Sequence, residues 1–293
     1  MSSKAESVST LSGELPFMRS VSPFRYPGGK AFLFKYLYSR LAALPHGQRF
    51  YAEPFCGGAG AAVILLKIEA VEQIHLNDAD PKVYSAWKYI LEEPDRFAEA
   101  IRTVPLDLET WHAYRRIVES QREPSFELGF ATFYLNRTSR SGIVIGAGPI
   151  GGYDQHGKWK IDARFNRDAL ADRVIWLGSV KDRVRLTQED ALTFLTRSSD
   201  RLPLDRTLFF VDPPYVTAGG RLYLNAMNEA KHIALSDILQ GGTLPHWVLT
   251  YDDHSLIRSL YAERPISDLD VTYSLQKKRK EREVLINDQA ACA

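Results

Sequence analysis

Thr207-Leu208-Phe209-Phe210-Val211-Asp212-Pro213-Pro214-Tyr215 decides the fold. Leu208 to Val211 are apolar without alternation, the pattern of a central strand covered on both faces of a parallel sheet. Pro213 and Pro214 have no N–H to give to a ladder and each fixes its own φ, so the strand ends at Asp212. Ligands of open parallel sheets gather outside the carboxyl ends of the strands. Asp212, the stiff Pro213-Pro214 backbone and the flat face of Tyr215 therefore stand where chemistry is expected. An acceptor beside a ring suits a planar amino group. Taken alone, the tetrapeptide also reads as a strand closing in a Pro-Pro turn behind an N-cap-like aspartate, so the flanking segments must decide.

Working outward, the pattern is of alternating helices and strands. Before this strand come a helix over Arg167 to Leu177 and a strand from Arg183 to Gln188 that ends at Glu189-Asp190. After it come a helix over Glu229 to Leu239, a strand from His246 to Tyr251 and a helix from His254 to Tyr261. Leu269 to Leu275 and Glu283 to Asn287 read as an antiparallel hairpin at the sheet edge, joined by a basic turn. Nearer the start, Gln48 to Cys56 is a strand ending at Glu53-Pro54, followed by the turn Gly57-Gly58-Ala59-Gly60 and a helix from Ala61. Such a turn lets a nucleotide-like ligand approach the backbone. A dinucleotide fingerprint would need a third glycine where Val63 stands, so a nucleoside without phosphates fits better. The next strand, Gln73 to Asn77, delivers Asp78 and Asp80 roughly 20 residues past the turn, where a carboxylate meets ribose hydroxyls. Asp78 is the choice for the ribose, because Asp80 suits the N-cap of a helix beginning at Pro81.

The 293 residues suffice for one large α/β domain or a core domain with a smaller insert. No apolar stretch approaches the roughly 20 residues of a membrane span. Residues 1–20 open with a polar, Ser-rich segment and read as a disordered tail without the apolar core of a signal peptide. Two cysteines, Cys56 and Cys292, supply neither a disulfide framework nor a zinc site, which points to a reducing cytoplasm and to no metal.

Net charge is only +1, but its distribution is uneven. Between Phe130 and Arg167 stand Arg137, Arg140, Lys158, Lys160, Arg164 and Arg167 against Asp154 and Asp162. Lys277, Lys278, Arg279, Lys280 and Arg282 stand together against Glu281. Basic patches on a near-neutral chain mark places where a phosphate backbone could lie, although the second run also reads as a solvated hairpin tip. Asp95 to Arg122 looks helical. From Ser125 the character changes: the buried run Phe130 to Leu135 leads into Asn136-Arg137-Thr138-Ser139-Arg140-Ser141-Gly142, then a small-residue stretch, then Lys158-Trp159-Lys160. Residues 106–167 read as a basic, loop-rich insertion for nucleic acid, and also as a plain surface insert. The flanking 21–105 and 168–290 form the catalytic domain.

With these pieces in order, the chain resembles a Dam-type, D12-class DNA adenine-N6 methyltransferase. The resemblance is carried by Tyr26-Pro27-Gly28-Gly29-Lys30, Glu53-Pro54-Phe55-Cys56-Gly57-Gly58-Ala59-Gly60, Asn77-Asp78, Glu189-Asp190-Ala191, Asp212-Pro213-Pro214-Tyr215 and the closing Lys278 to Ile286 hairpin. It implies a Rossmann-like α/β fold with a seven-stranded sheet in the order 3-2-1-4-5-7-6, only the seventh strand antiparallel, and an inserted recognition domain. It implies S-adenosyl-L-methionine as cofactor. Tyr26, Gly29 and Lys30 would contact it in the first motif, and Glu53, Pro54, Phe55, Gly57, Gly58 and Gly60 in the second. Asp78 would meet its ribose, Asp190 would lie near its adenine, and Asp212 next to its methionine.

The resemblance also implies that Asp212, Pro213, Pro214 and Tyr215 act on a flipped adenine in double-stranded DNA. Asn136, Arg137, Arg140, Lys158, Lys160, Lys277, Lys278 and Arg279 are the expected DNA contacts. The Thr138 to Ser141 core departs from the aromatic-Asn-Gly core common in the family, which bears on the sequence recognised and not on the reaction. A monomer or weak dimer is expected, in an orphan or restriction-modification and defence role with cognate partners possible. Two alternatives stand beside this reading: a non-catalytic DNA-binding member of a defence system, and a methyltransferase for another planar amine, such as RNA adenine or cytosine N4. Asp at position 212 favours adenine.

Overall fold

The computed structural model describes residues 21–25, 29–216, 227–273 and 279–289. Its strands are β1 (Phe50–Glu53), β2 (Gln73–Asn77), β3 (Val184–Thr187), β4 (Thr207–Val211), β5 (Trp247–Asp252), β6 (Ile266–Tyr273) and β7 (Arg279–Asn287). They form one sheet in the order β3-β2-β1-β4-β5-β7-β6. β1 to β5 pair in parallel, and β7 is antiparallel to both β5 and β6. The order, the sense of every strand and the mixed α/β class match the expectation.

All five residues of β4 are buried, and their side chains divide between two cores. Leu208 and Phe210 enter one together with α1 (Phe34–Ala42), α2 (Gly60–Lys67), α3 (Pro81–Glu92), α4 (Pro94–Thr103), α5 (Leu108–Ser120), α6 (Phe126–Thr138) and α7 (Arg167–Ser179). Phe209 and Val211 enter the other with α8 (Ala191–Thr196) and the helices Glu229–Gln240 and Ser255–Leu260. A strand clad on both faces has no polar side to show, which is why its sequence does not alternate.

Boundaries shift where local chemistry is stronger than periodicity. The run expected as one helix from Asp95 to Arg122 is two, because Pro105 cannot continue α4 and Asp107 caps α5 by accepting from the Thr110 N–H at 2.8 Å. The first strand is shorter than Gln48 to Cys56, and β7 begins at Arg279, so Arg279 to Arg282 belong to a strand and not to the expected basic turn. Lys277 and Lys278 lie outside the described residues, as do Tyr26, Pro27 and Gly28.

α6 is buried from Leu128 to Thr138. A helix apolar all round must be enclosed. It packs on α3 and α5, and Phe130, Phe133 and Tyr134 join rings with Phe97, Tyr114 and Phe165. Each such ring contributes roughly 1.5–3 kcal/mol by burial. Arg167 donates to the carbonyls of Ile101, Arg102 and Val104, closing the carboxyl end of α4, so one of the six basic residues of this region serves the fold. Among the described residues no helix is long and apolar enough to cross a membrane.

Candidate active site and nucleic-acid interface

Strand order reverses between β1 and β4, so the crevice outside their carboxyl ends is the switch point of the sheet. Asn77 bolts that end together. Fully buried, it donates to the carbonyls of Pro54 and Glu189, both at 3.0 Å, and accepts from the Thr187 hydroxyl and the Glu189 N–H. One amide thereby ties together the exits of β1, β2 and β3.

The glycine turn is held from three sides. Gly57 and Ala59 both have φ of 45°, a left-handed conformation that glycine adopts freely and alanine only under constraint. The constraint is visible: the Trp87 indole N–H donates to the Gly57 carbonyl at 2.8 Å, the Ser22 hydroxyl donates to the Gly58 carbonyl, and the Gly57 N–H donates to Asp78 Oδ2 at 3.0 Å. Asp78 Oδ1 accepts from the Asp80 N–H at 3.0 Å, and Asp80 caps α3 through the Lys82 N–H at 2.9 Å, which separates the two carboxylates as expected. Enclosure among backbone groups pushes the Asp78 carboxyl up to about 7, against the lowering effect of the two N–H donors.

Glu53, at the end of β1, is 4% exposed and accepts from the Tyr51 hydroxyl at 2.9 Å. Burial, reinforced by the charge of Asp212, raises its carboxyl to about 8, although the Tyr51 hydroxyl works the other way. Pro54 and Gly58 are buried beside it, while Phe55, Gly57 and Gly60 are half-buried.

Asp212 leaves the end of β4 with both oxygens engaged. Oδ1 accepts from the Thr250 hydroxyl at 2.6 Å and from the Tyr215 hydroxyl at 3.3 Å, and Oδ2 meets Lys30 Nζ at 3.2 Å. Lys30 Nζ also donates to the Tyr215 hydroxyl at 2.8 Å and pairs with Glu283 at 3.4 Å. Lys30 is 5% exposed and Glu283 1%. Pro213 is buried, Pro214 and Tyr215 half-buried, and the Tyr215 ring lies 6.2 Å from that of Tyr251. Lys30 and Asp212, 182 positions apart, thus meet, and Gly29 is exposed just before Lys30.

Thr250 and Glu283 are absent from the sequence-derived set. A threonine in a strand carries no signal, since it is a favoured strand residue. Glu283 carries a weak one: a carboxylate heading the apolar run Val284-Leu285-Ile286 enters a buried strand and needs a partner there.

Asp190 is exposed, caps α8 through the Leu192 N–H and pairs with Lys231 at 2.9 Å. Desolvation works to raise its carboxyl, but these partners bring it below the usual range.

The expected DNA contacts separate sharply. Asn136 is 1% exposed: it accepts from the Arg25 N–H and donates to the carbonyls of Arg25 and Gly142, at 2.7 to 2.9 Å. With its amide spent internally it braces the loop from beneath. Gly142, with φ of 77°, has the Arg25 carbonyl oxygen pressed against the place where a Cβ would stand, so no other residue fits that crossing. Arg137 is 9% exposed and does not reach the surface as a base reader must. Arg140, Lys158 and Lys160 are exposed. Trp159, 61% exposed, stands between the two lysines with Lys158 Nζ 5.6 Å from its ring. Arg279 is placed by its backbone in β7, paired with Tyr273. An open cleft lined by Gly47, Arg49, Glu69, Glu72 and Arg183 lies at the opposite, amino end of the strands and holds none of these motif residues.

The rRNA methyltransferase aviRa from Streptomyces viridochromogenes is similar in two solved structures, at TM-scores of 0.37 and 0.38. Identity is 16% and 14%, over 92% and 90% of this chain and 91% and 87% of those chains. Similarity at that level carries no argument about activity. No curated protein matches the chain. The family model described as D12 class N6 adenine-specific DNA methyltransferase matches residues 26–280, which span the motifs above from Tyr26 to Tyr215 and reach the start of the closing hairpin. The motifs and that match agree: the chain belongs to the D12 class of N6 adenine-specific DNA methyltransferases.

Proposed function

We propose that the protein methylates the exocyclic N6 of an adenine flipped out of duplex DNA, with S-adenosyl-L-methionine as methyl donor. The observation that carries this reading is Asp212: a carboxylate at the switch point, locked by Thr250 on one oxygen and Lys30 on the other, in a D12-class chain. The residues present fit the cofactor. Each oxygen of Asp78 accepts one backbone N–H and retains a lone pair for a ribose hydroxyl. The glycine turn offers backbone close to that carboxylate, and Glu53 is a buried carboxyl beside Asp212 suited to an ammonium group. When bound, the cofactor supplies an electrophilic methyl group.

The chain's own residues do the positioning. The amino nitrogen of adenine is a poor nucleophile because its lone pair is delocalised into the ring. Asp212 and the Pro213 carbonyl accept its two N–H bonds and turn that lone pair out of the plane, while Tyr215 gives the base a face to stack on. Removing the base from the duplex costs a few kcal/mol. Residues 106–167 carry the DNA contacts in this reading, with Lys158 and Lys160 on phosphates and Arg140 at a base edge. The Lys277, Lys278 and Arg279 segment adds charge. The reaction belongs to a DNA-containing cytoplasm, in an orphan or restriction-modification and defence setting.

Label transfer tests the reading. Protein incubated with tritiated cofactor and duplex DNA should place label on adenine N6, and sequencing modified bases from an expressing host should then give the recognition site. Cofactor binding with no label in any duplex would instead establish the non-catalytic alternative; label in RNA or on cytosine N4 would move the substrate.

A further inference from the structure

A second set of charges lies apart from Asp212, at the carboxyl end of α6. Arg137 is buried there to nine-tenths, and its Nε has no hydrogen-bond partner among the described residues. One Nη of Arg25 is likewise enclosed without a partner among them. The two are held together by Asn136, whose amide grips the Arg25 backbone from the position next to Arg137. Arg173 reaches the same segment from α7, donating to the Ser22 carbonyl at 3.2 Å. Arg164, an exposed residue whose charge acts on both Arg25 and Arg137, supplies a fourth cation.

The charges that act on Arg137 are those of Arg173, Arg25 and Arg164, all repulsive, and burial, the larger cause, joins them in lowering its proton affinity to about 9. Arg25 is lowered by burial and by Arg164. The carbonyl end of α6 offers about half a negative charge, too little for four guanidinium groups. A buried cation is ordinarily paired, and one without an internal counter-ion is kept for an external one.

We propose that Arg25, Arg137, Arg164 and Arg173 form an anion pocket beneath the Ser139 to Gly142 loop, and that its ligand is a phosphate group. Guanidinium groups match phosphate oxygens by forked hydrogen bonds. Arg164 is exposed, so a phosphate of a nucleic-acid backbone can approach the cluster from solvent. That source rests on the DNA reading above, whereas the pocket itself does not. Arg137 then holds backbone from below while Arg140 stays free for base edges.

Thermal melting in Tris chloride, with inorganic phosphate added at constant ionic strength, tests the pocket on wild type, Arg137→Gln and the surface variant Arg164→Gln. Phosphate should raise the melting temperature of the wild type, raise that of Arg164→Gln less, and leave that of Arg137→Gln unmoved. Without phosphate, Arg137→Gln should melt no lower than wild type, because it sheds an uncompensated charge; a purely structural arginine would give a clear fall. For a backbone source, the slope of log K for duplex against log salt should drop by about 0.9 for each phosphate that a variant no longer neutralises, and inorganic phosphate should compete with duplex. If phosphate stabilises the protein and duplex does not displace it, the ligand is a free phosphate compound. A wild type indifferent to phosphate, with both variants keeping the full salt slope, overturns the pocket. None of these readouts needs methyl transfer, so failure of the reaction assigned above would leave the pocket standing.

Discussion

Around Lys30 one buried ammonium faces Asp212, Glu283 and the Tyr215 hydroxyl. Around Arg137 one buried guanidinium feels the charges of three other arginines. Both cations are buried. The first is compensated by chain segments that folding itself brings together, so this cluster is assembled before any ligand arrives. The second is uncompensated, so its stability is completed by what binds. Pre-organisation at the end proposed to react and deferred neutralisation at the pocket proposed for phosphate are different uses of the same penalty for burying charge.

The largest effect expected from breaking the compensated cluster is on the reaction. Asp212→Ala should lower kcat by roughly 10²–10³-fold or more while the protein stays folded, since a group serving the transition state shows mainly in kcat. Near-normal turnover in single-turnover assays would remove Asp212 from the proposed mechanism.

Glu283→Ala should cost about 3 kcal/mol of stability in urea unfolding, the low end for breaking a buried pair, because Asp212 and Tyr215 still hold Lys30. A loss under about 1 kcal/mol would mean that Glu283 does not compensate Lys30 in the way the contrast requires.

Asp78→Ala should weaken cofactor binding by roughly 1.5–3 kcal/mol, the range for charge-assisted hydrogen bonds. The wild-type carboxyl is raised to about 7, so it is ionised, and the better acceptor, only above that value. Affinity measured by calorimetry should therefore rise with pH through about 7 in the wild type and lose that rise in the variant. Equal affinity in both would transfer the ribose role to Asp80.

The smallest effects sharpen the uncompensated side. Arg140→Ala should cost about 1–3 kcal/mol on the cognate duplex and little on a scrambled one, whereas Lys158→Ala with Lys160→Ala should weaken both duplexes alike. Equal losses on both duplexes in every variant would reduce the loop to a phosphate clamp.

Much of the site was legible because its elements end on residues with strong local chemistry. Pro213 stops β4, Pro81 and Asp80 start α3, and Gly57 opens the turn, each acting within a few positions of itself. Asn136 and Arg137 were less legible. Their polar side chains suggest a surface loop, yet Asn136 spends its amide on Arg25, 111 positions away, and Arg137 is buried. Thr250 was silent, and Glu283 nearly so, for the same reason, since their partners, Asp212 and Lys30, adjoin them only in the folded structure.

Sequence alone determined the sheet and the family, and pointed to the carboxyl end of the strands as the place for the proposed chemistry, because strand termination, helix capping and glycine turns are decided by backbone chemistry within a few residues. Tertiary structure alone decided which charges are neutralised inside and which await a partner. That outcome depends on burial and on pairings between distant segments, and the free energy of a charged side chain changes by several kcal/mol with its surroundings while its sequence context stays the same.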